Sequence, residues 1–524
     1  MEQIKHIIKA LKLISAVGIP LKKFVWPNIA VTILELISLY LLARLMGNVL
    51  SAAAGSPIDI TATLALAALL VLKSFANALL MRVMYSGYAQ TESKIRAAFL
   101  DLARAVPSRS LRAQSVETVT HQISTHAPNL TYGVYQQFVK LLSDLMVSAA
   151  ILAALIVTNP RLTAIIVILF GIIAFFVGSW TITNSARAGR IVEVSSVRLV
   201  NLIGRYLGSR NEIAGSALEP FFQSEVAKTN DQLSRAHAAI MYSAMVPRFA
   251  FDAVVGVAIF FIVAAVTLNV ARLDQQDLAF SLAAAFKLAP YITSIIASLS
   301  QISFSRPIIL GYRQATEALT VEGWGDVSSP PKVAVAHENG TTHLTVTVGG
   351  SVCSVVSGEI LVIKGKSGSG KTTIAELIAD VIEGRVGSER TKVKAAWAGH
   401  LAFCSQFPAV LDAPLSVNVL QKETADPDDE DFVMRYDLSH LSSAASLNEN
   451  TLSGGERQRI GIVRTINQAR DIVIFDEPTS AIGKLYGEKI REDIQKAAGR
   501  GSIVVVVTHD SIFDPIADAL LEIR

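Results

Sequence analysis

The sequence predicts a membrane α-helical bundle, six transmembrane helices with long cytoplasmic extensions, followed by an α/β P-loop domain. Three observations carry this prediction. Six apolar stretches, each long enough to cross a bilayer, fall within residues 1–305. A strand, a glycine-rich loop and a helix follow one another from Gly358. An apolar run later ends in two adjacent acids, Asp476 and Glu477. Composition agrees: of 524 residues 51% are apolar and 17% charged, against about a quarter charged in average soluble proteins.

The first half justifies the bundle. The apolar stretches run over 26–50, 62–86, 138–158, 162–183, 249–270 and 278–304. The loops 51–61, 159–161 and 271–277 between them are short, whereas 87–137 and 184–248 are long, polar and helix-like. Both long segments are rich in Arg, the N-terminal arm carries Lys5, Lys9, Lys12, Lys22 and Lys23, and loop 51–61 has neither Lys nor Arg. The excess of positive charge marks the cytoplasmic side, so both termini and both long segments are expected there. The arm "MEQIKHIIKALKLISAVGIPLKKF" reads as an interfacial helix ahead of the first span, because Lys9 and Lys12 break the apolar core that a signal peptide needs.

Charges inside the spans are expensive in lipid and mark protein interiors or water-filled cavities. Arg44, Arg82, Lys140, Asp144 and Asp252 lie near span ends; Glu35, Lys73 and Lys287 lie deeper. Lys73 and Lys287 are the candidates for a substrate pathway, with interhelical pairing as the alternative. Pro290, three residues after Lys287, frees a backbone carbonyl in the sixth span and makes that region the first candidate for a cavity wall.

The second half carries phosphate chemistry. In "GEILVIKGKSGSGKTTIAELIADVI", Ile360–Ile363 is a buried strand and the next residues fit G-x-x-x-x-G-K-[ST]. The candidate ATP-binding residues are Gly365, Lys366, Ser367, Gly368, Ser369, Gly370, Lys371, Thr372 and Thr373. Glycines let backbone N–H groups converge on phosphate oxygens, and the following helix points its positive end at the same anion. Lys371 supplies a charge to the β- and γ-phosphates, and Thr372 a hydroxyl to Mg²⁺. In "DIVIFDEPTS" a short strand, Ile472–Phe475, ends at Asp476, placed to hold Mg²⁺, while Glu477 points at the water that attacks the γ-phosphate.

In "TLSGGERQRIGIVRTINQ" the residues Ser453, Gly454 and Gly455 open a polar helix, which reads either as an ordinary capped surface helix or as a second anion-binding device with unpaired N–H groups. One nucleotide does not need two glycine cradles from one chain. A head-to-tail dimer, with the P-loop of one copy and the Ser-Gly-Gly of the other closing on one ATP, resolves this. "LSGGERQR" followed by a strand ending in Asp-Glu is similar to the signature motif and Walker B of ABC transporter ATPases. In the same order, Gln406 in "FCSQFPAVLDAPLSVNVL" resembles the Q-loop glutamine and His509 in "IVVVVTHD" the switch histidine.

The resemblance implies an ABC-type P-loop NTPase domain over 341–524, a linker over 321–340, and a transmembrane domain over 1–320 whose two long segments carry the coupling helices. It implies catalytic roles for Glu477, His509 and Gln406, metal contacts from Thr372, Asp476 and Gln406, and a signature of Leu452, Ser453, Gly454, Gly455 and Glu456 acting in trans. Among the departures from the family pattern, Glu456 stands where glutamine is commoner, and two others bear on the nucleotide sites. Upstream of the P-loop, "HLTVTVGGSV" has no aromatic residue for adenine, leaving His343 or Val348 in its place, and Gly483 stands where the family has the aspartate that joins the two ATP sites.

The expectation is a half-transporter of the exporter type, using ATP and Mg²⁺ to export or flip an unidentified substrate. The alternative is a membrane ABC ATPase with a regulatory or channel role. Its partners are a second half-transporter chain (the same or a related one), the lipid bilayer and the transported substrate. The net charge of +3, with scattered basic residues, is too small to argue for nucleic acid, and none is expected as a partner. An integral, multi-pass location in an inner (plasma) membrane of bacterial type is expected, with the ATPase domain cytoplasmic. Its two cysteines, Cys353 and Cys404, are expected as reduced thiols.

Overall fold

In the computed structural model, the described residues are 20–53, 60–112, 120, 124–158, 160–214, 216–267, 275–309, 331–338, 340–386, 400–420, 430–444, 446–448 and 451–523. Residues 1–19 of the arm expected as an interfacial helix and residues 321–330 of the expected linker lie outside them. By its internal contacts the chain divides into two compact units, Met1–Arg104 with Gln114–Ala318, and Ala105–Ala113 with Leu319–Arg524.

Six long helices build the first unit among the described residues: α1 (Val25–Ala53), α2 (Ile60–Ala105), α3 (Gln136–Thr158), α4 (Pro160–Gly208), α5 (Glu219–Thr267) and α6 (Gln275–Phe304). Each expected span falls on its own helix, apart from residues 268–270, which are not described. The stretches Val25–Leu45, Thr63–Ala105, Ser124–Val157, Ile166–Gly208 and Glu219–Val257 are long and apolar enough to cross a membrane. Helices α2, α4 and α5 have 46, 49 and 49 residues. At 1.5 Å per residue they run roughly 70 Å, about twice the apolar thickness of a bilayer. The polar segments after the second span and around the fourth and fifth are thus continuations of the spanning helices.

Helical spacing sets the packing. Val147, Ile151 and Leu155 recur every fourth residue on α3 and are fully buried against Leu39 of α1, Phe170 of α4, Phe251 of α5 and Leu288 of α6. A second core gathers where α2 meets a π-helical turn, Asn129–Tyr135. There Phe24 stacks on Tyr88 with ring centroids 5.1 Å apart, and Tyr135 sits edge-on to Phe24 at 5.8 Å.

The second unit holds two sheets. Strands β1 (Lys332–Glu338), β2 (Thr341–Val348) and β3 (Ser351–Val356) form an antiparallel sheet. Strands β4 (Ile360–Gly365), β5 (Leu401–Cys404), β6 (Ile472–Asp476), β7 (Ile503–Val507) and β8 (Ala519–Ile523) form a parallel sheet in the order β5-β6-β7-β4-β8. Every residue of β6 and β7 is buried, as expected of a parallel sheet covered on both faces. Alternate side chains go to opposite faces. Val362, Val473, Phe475, Val504 and Val506 join one core with helices α8 (Gly454–Asn467) and α9 (Lys484–Gly499). Leu361, Ile363, Ile472, Ile474, Val505 and Val507 join another with helix α7 (Lys371–Ile382) and with Leu344 and Val346 of β2.

Two boundaries differ from the sequence reading. Residues 321–340 are not a linker throughout, because β1 occupies Lys332–Glu338 and pairs antiparallel with β2 from Lys332↔Thr347 to Glu338↔Thr341. The physical reason is the alternation of Val333 and Val335, half-buried, with Ala334, exposed. Residues 105–113 belong with the second unit. The Ser108 N–H and hydroxyl each donate to the Asp380 carboxylate at 2.8 Å, and Arg385 donates to it at 3.0 Å.

Candidate active site

The carboxyl edge of the parallel sheet collects the predicted residues. β4 feeds the glycine loop, β5 ends two residues before Gln406, β6 ends in Asp476, and β7 ends two residues before His509. Their order places these ends side by side: Cys404 is level with Phe475, Asp476 with Val507, and Val507 with Ile363. This is the edge at which α/β sheets bind ligands.

The glycine loop bends as its sequence demands. Gly368 and Gly370 have φ of +81° and +90°, a backbone region costly for residues with a side chain. Lys366, Ser367 and Gly368 are exposed at the crest. The Ser369 hydroxyl is buried and without a partner among the described residues, as in a cradle shaped for an oxyanion. Gly370 caps α7, so the N-terminal end of that helix, with Lys371, Thr372 and Thr373, faces the loop. Lys371 folds over the loop, donating to the Gly365 carbonyl at 2.8 Å and the Lys366 carbonyl at 3.1 Å.

The two acids have separate environments. Asp476, 1% exposed, accepts a hydrogen bond from the Thr372 hydroxyl at 3.1 Å. Glu477 is turned away from the strand by a left-handed backbone, φ +47°, held by its N–H bond to the Val507 carbonyl at 2.8 Å. Such a conformation costs about 1–3 kcal/mol and persists only where surrounding structure enforces it. It sends one carboxylate oxygen to 3.6 Å from the Lys371 ammonium and the other to 2.8 Å from His509 Nδ1, which donates to it. The structure thus joins Lys371, Glu477 and His509 in one buried-to-surface chain.

Thr372 and Asp476 offer hard oxygens side by side, with Gln406 half-buried on the neighbouring strand end. This donor set fits Mg²⁺, which takes one or two protein oxygens and completes its shell with phosphate and water.

Ser453, Gly454 and Gly455 sit elsewhere in the unit. Among the described residues no hydrogen bond joins them to the glycine loop. The start of α8 is capped, as one of the two readings of this stretch expects, and a capping box takes part of its N–H groups. Ser453 Oγ accepts from the Glu456 N–H at 3.2 Å, and the Glu456 carboxylate accepts from the Ser453 N–H at 2.8 Å. The Ser453 hydroxyl first, and His440 second, hold the Glu456 carboxyl down to about 2. A lowered pKa stabilises the fold fully above the unfolded value and loses that contribution as pH falls through about 2, so the box stays charged at neutral and mildly acid pH. Leu452 is buried in the core beneath. Of the two adenine candidates, Val348 packs against a core and His343 is exposed on β2. Gly483 caps α9. Cys353 and Cys404 are free thiols, and burial pushes Cys404 up to about 12, making it inert.

Gly461 of α8 fixes the Gln406 loop. A Cβ there would lie 2.4 Å from Pro408 Cγ and 3.3 Å from Cys404 Sγ, and a proline ring cannot rotate away. Gly461→Ala is expected to destabilise the second unit by about 1–3 kcal/mol, read as a lower thermal midpoint of the full chain.

In the membrane unit the structure brings Lys73 and Lys287 together on Glu35. Asn77, Ser38 and Tyr291 join that group and were missed in the sequence, although each lies about one helical turn from a charged member, Lys73, Glu35 and Lys287 respectively.

Parts of the chain are similar to known proteins. The profile described as ABC transporter matches residues 350–480. The chain is 30% identical over 185 residues to the macrolide export ATP-binding/permease protein MacB of Nitrosomonas europaea, covering 32% of this chain and 28% of that protein. It is 28% identical over 203 residues to the pyoverdine export ATP-binding/permease protein PvdT of Pseudomonas aeruginosa, covering 36% of this chain and 30% of that one. The chain therefore spans less than a third of the length of these two curated relatives. A solved structure of a bacterial Atm1-family ABC exporter with ATP bound superposes over 96% of this chain and 94% of that one, with a TM-score of 0.71 and 16% identity. That likeness shows the fold, apolar helices included.

Proposed function

We propose, from the premise that the chain belongs to the ABC transporter family, that it is an exporter-type half-transporter which hydrolyses ATP to move a substrate across a membrane. The observation that carries the reading is the convergence of Lys371, Asp476, Glu477 and His509 on one sheet edge, in a chain whose other unit is built of helices able to cross a membrane.

The chemistry follows from the residues. Lys371 exchanges its loop carbonyls for β- and γ-phosphate oxygens, with the glycine-loop N–H groups. Glu477 accepts the proton of a water as that water attacks the γ-phosphorus; the bond to the β-phosphate oxygen breaks and ADP leaves. His509 holds the carboxylate in place through Nδ1. Mg²⁺, held by Thr372 and Asp476 with Gln406 beside them, would neutralise phosphate charge. Ser453, Gly454 and Gly455 of a second chain, identical or related, would close the site from the other side. Binding would thereby draw two ATPase units together and hydrolysis release them, driving the helices between two states. The relatives that the ATPase segment matches are named for export, which supports export over a regulatory role.

Proteoliposomes test the reading. Fluorescent amphiphiles with carboxylate, quaternary ammonium and phosphocholine heads are expected to include at least one whose redistribution needs Mg-ATP on the ATPase side. That movement should vanish in Glu477→Gln. Brisk hydrolysis with no movement of any probe would favour the regulatory alternative.

A further inference from the structure

The membrane helices bury an ionic cluster whose charges do not cancel. Glu35 lies at the centre of the Val25–Leu45 stretch. One of its carboxylate oxygens pairs with Lys73 of α2 and accepts from the Asn77 amide at 3.1 Å; the other lies 2.8 Å from Lys287 of α6. Lys287 also donates to the Ser38 hydroxyl. The three charged side chains are only 9%, 13% and 18% exposed. A separate acid, Asp144 of α3, accepts from Ser294 and has its own cation, Lys140, within electrostatic reach. Among the described residues two lysines pair with one carboxylate, so one positive charge is left over.

A structural clamp does not need this surplus. One lysine neutralises one glutamate, and a second buried ammonium adds a desolvation cost of several kcal/mol that the pair does not return. Each ammonium has three N–H donors. Lys73 uses one and Lys287 two, which leaves three without an acceptor among the described residues. Buried charge of this kind is stable when a further anion completes it.

We propose that Lys73 and Lys287 receive an oxyanion of the transported molecule, a carboxylate, phosphate or sulfonate, with Glu35 holding the two ammonium groups side by side. The proposal rests on the export reading and names its substrate class. The oxyanion belongs either to a soluble amphiphile or to the head group of an anionic lipid.

The test compares 11-(dansylamino)undecanoic acid with its methyl ester, binding to the full chain in phosphatidylcholine nanodiscs by dansyl fluorescence. The acid is expected to bind at least about tenfold tighter than the ester, the worth of charge-assisted hydrogen bonds. Lys73→Gln and Lys287→Gln should each shrink that preference, and Lys287→Arg should keep it. Displacement of the acid when phosphatidylglycerol is added would identify a lipid head group as the occupant; undiminished binding would identify a soluble amphiphile. Equal affinity of acid and ester for the unaltered chain overturns the proposal and needs no variant to fold. So does a preference that survives Lys73→Gln and Lys287→Gln combined. ATP-driven movement of acid and ester alike would sink the anion site and leave export standing. Acid preference without any ATP-driven movement would do the reverse.

Discussion

Glu477→Gln is expected to lower the turnover of ATP hydrolysis by about 100- to 10,000-fold, with nucleotide affinity little changed. The amide keeps the shape of the side chain and the left-handed backbone that aims it. It cannot accept the proton of the attacking water, which is the step the carboxylate supplies. It also weakens the His509 Nδ1 contact and leaves Lys371 without its anionic neighbour at 3.6 Å, which makes that lysine freer to meet phosphate. The variant should therefore hold ATP well while hydrolysing it poorly. Phosphate release and retained nucleotide, measured on the same nanodisc preparation, check both halves. Turnover within about threefold of the parent would remove the base role, since general-base catalysis is worth far more.

Much of this site was legible because parallel buried strands read as unbroken apolar runs. The stretches over β4, β6 and β7 announce themselves, and each ends at, or within two residues of, a residue with chemistry to do. The glycine loop was legible because few backbones other than glycine accept its angles. What stayed hidden depends on contacts between distant residues. Ser108 and Asp380 are 272 positions apart, so nothing local links them. Glu35, Lys73 and Lys287 looked like isolated charges in three spans, and only the packing of α1, α2 and α6 makes them one cluster. β1 hid in a stretch that opens on Gly, Pro and Ser, since its alternation is brief and faces a half-buried edge. The left-handed turn at Glu477 has no sequence signal, because glutamate does not favour it.

Lys371→Met is expected to weaken ATP binding by at least about thirtyfold, equivalent to about 2 kcal/mol for truncating one partner of a buried charge pair. Methionine fills nearly the same volume, so the loop keeps its packing but loses the ammonium that now caps Gly365 and Lys366. The same variant also tests whether sites are shared between chains. Co-assemble Lys371→Met with a second chain carrying Ser453→Arg, which blocks the start of α8. If each site combines the lysine loop of one chain with the serine-glycine pair of its mate, one site of the mixed dimer carries both lesions and the other is intact. Hydrolysis should then return in the purified mixed dimer, though each variant alone is inactive. The family aspartate that ties the two sites together is replaced by Gly483, so one intact site should turn over without its neighbour. If both halves of each site came from one chain, every site in the mixture would carry a lesion and mixing would restore nothing.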